Sequence, residues 1–357
     1  MKRLVGFAFL ILVLAAGMAC AQTDSPRNTT VVHDLKAQLA PVTLGGGAQY
    51  VAGAGVQLTG SALSGTASFL GTNAPFAVNN AVPSWNVDMP AGTGALIEIR
   101  ATNGGSVTAW YEVARIGTTP LKSKRVKSDR LGYIDIDTLM LYSAWPRIEY
   151  RTTLYTNTPG VTPTLRLMSV CYADTNTRIA YSEPPAPGVQ VSLPARWRSQ
   201  YWVPNIGGSI CGPTSMSMAE DFLGVWIATE TVANECYDDY NRLYGNWPFI
   251  CQQAASHGFK AFGFRCNNQL PIRQEIDAGH PVILSVQWGA GELTNAPITS
   301  TNGHLILCVG YTANGDYIIN DPAGSDNRWD HVIYNSAQMA HVWLWHGGGF
   351  CMTVMPQ

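Results

Sequence analysis

Two patterns of apolar and polar residues divide the chain. From about Gln49 to Tyr172 the two kinds alternate with period two, and glycine, asparagine and proline break the runs. Leu96-Ile97-Glu98-Ile99-Arg100 alternates, Asn103-Gly104-Gly105 turns the chain, and Thr108-Ala109-Trp110-Tyr111-Glu112-Val113 continues it. Ile134-Asp135-Ile136-Asp137, Arg147 to Tyr155 and Thr164 to Val170 repeat the theme. Period-two runs of this kind predict strands with one buried face, and so many in series predict an all-β antiparallel sandwich over residues 49–181.

Beyond Pro194 the period lengthens. Helices are predicted over Thr214–Leu223, Thr229–Leu243, Pro248–His257 and Pro271–Ala278, and Gly224, Gly258 and Gly279 end three of them. Strands are predicted over Pro281–Val286, His304–Tyr311 and Asp316–Pro322. Thr312-Ala313-Asn314-Gly315 joins the last two, and Asn-Gly between apolar runs is a strong hairpin signal. Helices followed by an antiparallel sheet predict an α+β domain over 195–357. Between the two regions, Ser182-Glu183-Pro184-Pro185-Ala186-Pro187-Gly188 marks a proline-rich linker, residues 182–194.

The N-terminus reads as a targeting segment. Lys2 and Arg3 precede an apolar run from Leu4 to Ala16, and Ala19-Cys20-Ala21 offers a cleavage site. Residues 1–21 are expected to be a signal peptide, and residues 22–48 a flexible lead-in. The competing reading is a lipoprotein anchored at Cys20. Either way a secreted, periplasmic or cell-surface protein is expected. No other apolar run is long enough to span a bilayer.

Composition narrows the partners. Charged residues are 13% of the 357, against the usual share of about 25%. The net charge is −2, which gives nucleic acid or an anionic membrane surface nothing to hold. No cysteine pair has zinc-ligand spacing, so no metal and no cofactor is expected. Seven cysteines follow the signal segment: Cys171, Cys211, Cys236, Cys251, Cys266, Cys308 and Cys351. An odd count in an exported protein points to one reactive thiol, and the other six could form disulfides.

Cys211 is the candidate. It precedes Gly212-Pro213 and a helical pattern, which sets it at a helix N-terminus. Backbone N–H groups and the helix dipole favour negative charge there, so the thiol ionises more readily than a free cysteine. A cysteine nucleophile needs a base, and the base needs an orienting group. His304 starts one strand of the predicted hairpin and Asp321 ends the other, so antiparallel pairing makes them neighbours. The backbone N–H of Cys211 and the side chain of Gln200 are candidate oxyanion donors. Trp247 and Trp288 could line a substrate cleft or fill the core. Trp85, Trp110 and Tyr111 could stack on carbohydrate or fill the sandwich.

The order Gln200, Cys211-Gly212-Pro213-Thr214-Ser215, Gly303-His304 and Asn320-Asp321-Pro322 resembles the papain-like cysteine peptidases related to the double-glycine leader peptidases of bacteriocin export. It is most similar to their secreted, stand-alone bacterial relatives. The resemblance runs from about Trp197 to the C-terminus. It takes in Gly245-Asn246-Trp247-Pro248-Phe249, Gly279-His280-Pro281-Val282 and Val309-Gly310-Tyr311. It implies a papain-like fold, with Cys211 as nucleophile, His304 as base, Asp321 as its orienter and Gln200 as oxyanion donor. It also implies a peptide or protein substrate. The spacer between Gln200 and Cys211 is longer than in the transporter-linked members. The upstream sandwich resembles the β-domain that accompanies this unit. Two rival functions remain at the level of sequence: amidase, deamidase or transglutaminase chemistry by the same residues, and a non-catalytic surface binding protein.

Overall fold

The computed structural model describes residues 24–38, 42–71, 73–118 and 125–357. The expected signal peptide, with Cys20, lies outside the described residues. The N-terminal domain consists of two antiparallel sheets. The first holds seven strands and is centred on Val78–Asp88 paired with Thr164–Ala180. The second holds six and is centred on Thr93–Asn103 paired with Arg147–Thr156. Strand side chains alternate between faces. Trp85, Leu139 and Met168 from the first sheet therefore meet Ile97, Ile99 and Leu154 from the second in one buried core.

Two segments depart from the sequence expectation. Asp24–Asp34 lies within the expected lead-in, yet it forms a strand along Thr164–Ala180, with Val31 opposite Val170. Its partner is so distant in sequence that no local pattern reveals the pairing. Ile134-Asp135-Ile136-Asp137 alternates like a strand, but the chain turns there. Strand Gly132–Asp135 pairs with Thr138–Trp145, Asp135 faces Thr138, and Ile136-Asp137 is a two-residue hairpin loop.

The C-terminal domain packs helices on a seven-stranded antiparallel sheet. The helices are α1 (Cys211–Phe222), α2 (Thr229–Glu235), α3 (Trp247–Ser256) and α4 (Leu270–Asp277). The sheet runs, in spatial order, Phe259–Arg265, Phe350–Pro356, Val282–Trp288, Thr301–Tyr311, Tyr317–Asn320 and Val332–Tyr334. Val191–Ser192, within the expected linker, adds a short strand against Thr301–Tyr311. α2 stops well short of the expected Leu243. The Asp238 carboxylate accepts from the backbone N–H of Tyr240 (3.0 Å) and of Asn241 (3.2 Å), and this turn competes with the helix. Strand Phe259–Arg265 contains Gly263, a residue that weakens strand signals. A Cβ at Gly263 would lie 2.7 Å from the Phe350 ring, so the ring occupies the side-chain position.

Phe259–Arg265 is an edge strand, and its outward backbone groups are closed by side chains of the N-terminal domain. Ala261 donates its N–H to Asn86 Oδ1 (3.2 Å) and accepts from Asn86 Nδ2 (2.7 Å). Gly263 N–H donates to Ser84 Oγ (3.0 Å) and Arg265 N–H to Thr30 Oγ1 (3.2 Å). Alternate residues of an antiparallel strand present their N–H and C=O groups to the same side, which is why positions 261, 263 and 265 are the ones served. Gln252 on α3 returns the contact, accepting from Val87 N–H (2.9 Å) and donating to Val87 C=O (2.8 Å).

Asn86→Ala would leave a buried N–H and C=O of Ala261 unpaired. It is expected to lower stability by about 1–3 kcal/mol in chemical denaturation. A loss near zero would mean that water satisfies the seam.

Candidate active site

Cys211 is the first residue of α1, and no side chain caps that helix start. The N–H groups of Cys211 and Gly212 are therefore available to an anion, while Pro213 has none and Thr214 donates to Ile210 C=O (2.9 Å). Gly212 lets the helix begin against the sheet: a Cβ there would lie 2.6 Å from Leu305 Cδ1 and 2.5 Å from Ile250 Cδ1. One turn on, Ser215 Oγ donates to Leu305 C=O (3.1 Å), which fixes α1 to the residue after His304.

His304 is buried on strand Thr301–Tyr311, and Asp321 follows the returning strand. His304 Nε2 lies 2.8 Å from Asp321 Oδ1. The other ring nitrogen, Nδ1, takes no part in that contact, and the imidazole is near enough to Cys211 for each to shift the pKa of the other. Asp321 is fully buried and held from several sides. Its Oδ1 accepts from Ala323 N–H (2.9 Å), its Oδ2 from Tyr334 Oη–H (2.6 Å), and its backbone C=O from Trp197 Nε1–H (2.7 Å). Trp288 stands edge-on to the His304 ring, with centroids 5.8 Å apart.

These contacts set the charges. Burial raises a thiol pKa, but the hydrogen bond and charge of His304, with backbone hydrogen bonds at Leu305 and Gly212, outweigh it and hold Cys211 below its ordinary value. Burial lowers an imidazole pKa, but the charge and hydrogen bond of Asp321, then those of Cys211, lift His304 to about 10. Both shifts favour the charged pair, a thiolate beside an imidazolium. Five other thiols behave oppositely. Burial pushes Cys171, Cys236, Cys251, Cys308 and Cys351 up. The disulfides that six of these cysteines could form are absent among the described residues: all seven thiols are free, with Cys266 and Cys351 Sγ 3.7 Å apart.

Cys211 and His304 open onto a cleft of about 530 Å³. One wall comes from the C-terminal domain: Ser209, Leu243, Tyr244, Trp247 and Leu305. The other is the hairpin tip Asp135-Ile136-Asp137-Thr138 of the N-terminal domain. Asp137 fixes that tip. Its buried carboxylate accepts from Trp247 N–H at the start of α3 (3.0 Å) and from Thr138 Oγ1–H (2.8 Å). Burial raises its pKa to about 6. Ile136 has φ +55° and Arg242, on the facing wall, has φ +56°. Left-handed backbone costs an L residue about 1–2 kcal/mol.

The structure brings Cys211, His304 and Asp321 together, and sets Trp247 in the cleft, stacked on Phe350 at 4.0 Å. Gln200 is buried, with no hydrogen-bond partner for Oε1, and it is not a lining residue of the cleft. Its N–H donates to Pro322 C=O (2.8 Å), tying it to the Asp321 loop. Trp288 differs from the expectation of a substrate contact: it is 2% exposed and backs His304 from the core side. Trp85 and Tyr111 are core residues, and the half-buried Trp110 has the guanidiniums of Arg100 and Arg151 each 4.3 Å from its ring centroid. Tyr334 and Asp137 escaped the sequence reading, since no motif marks either. One group of described residues has a metal-type donor set: Glu292, His341 and His346, with ligand atoms within 4.8 Å of one another. No helix among the described residues is long and apolar enough to cross a membrane.

Residues 192–349 match the family model described as Peptidase_C39 like family, and residues 60–173 match the Peptidase C39 N-terminal domain. Solved structures are similar to part of the chain. A C39-like peptidase from Bacillus anthracis shares 17% identity over 47% of this chain and 98% of its own, with a TM-score of 0.35. The peptidase domain of Streptococcus ComA, a bi-functional ABC transporter involved in quorum sensing, shares 18% over 43% and 97%, with a TM-score of 0.32. A double glycine motif protease from an AMS/PCAT transporter, solved with its leader peptide, shares 16% over 47% and 99%, with a TM-score of 0.31. No curated protein matches the chain.

Iodoacetamide is expected to alkylate Cys211 at pH 6.5, where an ordinary thiol near 8.5 is only about 1% thiolate. The reactivity should fall as pH drops through the depressed Cys211 pKa, and it should not fall again above 10, because the thiolate outlasts the imidazolium. His304→Gln should shift the profile toward the ordinary thiol range. Peptide mapping after alkylation reads both outcomes.

Proposed function

We propose that the chain, whose residues 192–349 match the peptidase C39-like family model, is an exported cysteine peptidase of papain-like fold. The chain divides, in this reading, into a β-domain over 49–181, a linker over 182–194 and a catalytic domain over 195–357. The observation that carries the proposal is His304 held between Cys211 and the buried Asp321. The nucleophile starts a helix while base and orienter sit on one hairpin, an arrangement suited to acyl transfer.

Hydrolysis follows from the resting ion pair. The Cys211 thiolate adds to the scissile carbonyl carbon, and the carbonyl oxygen becomes an oxyanion. The Cys211 N–H stabilises it, with the Gln200 side-chain amide as second donor. His304 passes its Nδ1 proton to the amide nitrogen, the C–N bond breaks, and the amine leaves a thioester. His304 then takes a proton from water, hydroxide adds to the thioester carbon, the C–S bond breaks, and the pair is restored. Asp321 keeps Nε2 protonated throughout, so Nδ1 is the atom that trades protons. Trp247, at the cleft, is the substrate-contacting aromatic in this scheme.

A proteome-derived peptide library read by mass spectrometry under reducing conditions tests the assignment. Cys211→Ala is expected to abolish cleavage. Asp321→Asn should cost at least about 10²-fold and Gln200→Ala about 10²–10³-fold. Turnover should decline as pH rises through about 10, where the His304 proton is lost. Cleavage that persists in Cys211→Ala would overturn the proposal.

A further inference from the structure

We propose that the hairpin tip of the N-terminal domain is a substrate-selecting wall, with Ile136 seating an apolar side chain of an extended peptide. The inference rests on the peptidase reading of the cleft and adds a substrate class to it.

Ile136 is placed where folding alone would not place it. It is the first residue of a two-residue hairpin loop and has φ +55°, a position that favours glycine. It is β-branched, for which such a φ is a genuine outlier. It is also 42% exposed, so it fills no core. An exposed apolar residue in strained backbone serves neither packing nor solubility. Strain of this kind accumulates at binding sites, and the side chain here borders the cleft of Cys211 and His304.

The tip is rigid enough to select. Asp135 pairs with Thr138 on one side of the loop, and on the other Asp137 is bonded to the first N–H of α3. The facing wall repeats the sign. Arg242, exposed and with φ +56°, lines the same cleft, and Leu243 and Tyr244 beside it add apolar surface. Ile136 and Arg242 come from different domains, so a shared local sequence preference does not explain their coincidence at one cleft.

Ile136→Gly separates the two possible origins of the strain, since glycine relaxes the turn and removes the side chain. The probes are blocked hexapeptide amides of alanine and glycine that carry one Leu, or one Ser, at each position in turn. The full chain is expected to keep or raise its melting temperature and to keep the alkylation profile of Cys211. The kcat/KM for the preferred Leu peptide should fall about tenfold or more, and its advantage over the Ser peptide should shrink to match. The same peptides are then bound to Cys211→Ala with and without Ile136→Gly, by calorimetry. Weaker Leu-peptide binding in the double variant supports the wall even where wild type shows no turnover, in which case only the peptidase reading fails. Equal kcat/KM and equal affinity with Ile and Gly at position 136, or no preference for the Leu probe in either assay, overturns the inference.

Discussion

The closure of one strand edge governs the rest of the molecule. Phe259–Arg265 ends the sheet that carries the histidine and the aspartate, and a free edge exposes unpaired N–H and C=O groups. Here Thr30, Ser84 and Asn86 supply side-chain partners in place of another strand. Side chains do what a neighbouring strand would do, with a difference: they fix the contact to a single register. A strand could slip by two residues and still pair, whereas an asparagine serving both groups of one residue cannot. The two domains are thereby set in one orientation, and the hairpin at 132–145 reaches the mouth of the catalytic cleft. The anchorage of that hairpin to α3 through Asp137 is a second fixed point in the same arrangement.

Charge is distributed with economy. Seven thiols are free among the described residues, and the chain distinguishes one by its surroundings rather than by bridging the others. Five are pushed up by burial, while Cys211 is drawn down by an imidazole that a buried carboxylate keeps charged. That carboxylate is balanced by hydrogen bonds from Tyr334 and Ala323 as well as by His304, so removing one partner would leave the others in place. A buried charge survives when its lone pairs are met, and Asp321 meets that condition.

Much of this was legible in the sequence. Period two marked most strands of the N-terminal domain, and Asn314-Gly315 set the hairpin that makes His304 and Asp321 neighbours. Glycine and proline bounded α1, α3 and α4. What was hidden depends on partners far along the chain. The strand at Asp24–Asp34 needs Thr164–Ala180 to declare it, and the strand around Gly263 needs Phe350 to account for its glycine. The early end of α2 needs the turn around Asp238. Tyr334 reaches Asp321 only in the folded sheet. The instructive failure is Ile134-Asp135-Ile136-Asp137. Its alternation is as regular as that of a true strand, yet the chain reverses at its third residue. Local preference and tertiary placement disagree there, and such conflicts concentrate where a protein serves something other than its own stability.

The two-residue loop has a consequence for how such a protein can change. Asp137 is tied to α3 and Asp135 to Thr138, but the side chain of Ile136 answers to no neighbour in the core. A substitution at that one position can reshape the mouth of the cleft while the catalytic residues, the sheet and the seam stay as they are. The fold thus keeps a single adjustable site apart from its fixed parts, so a lineage could explore new substrates there without first risking the chemistry.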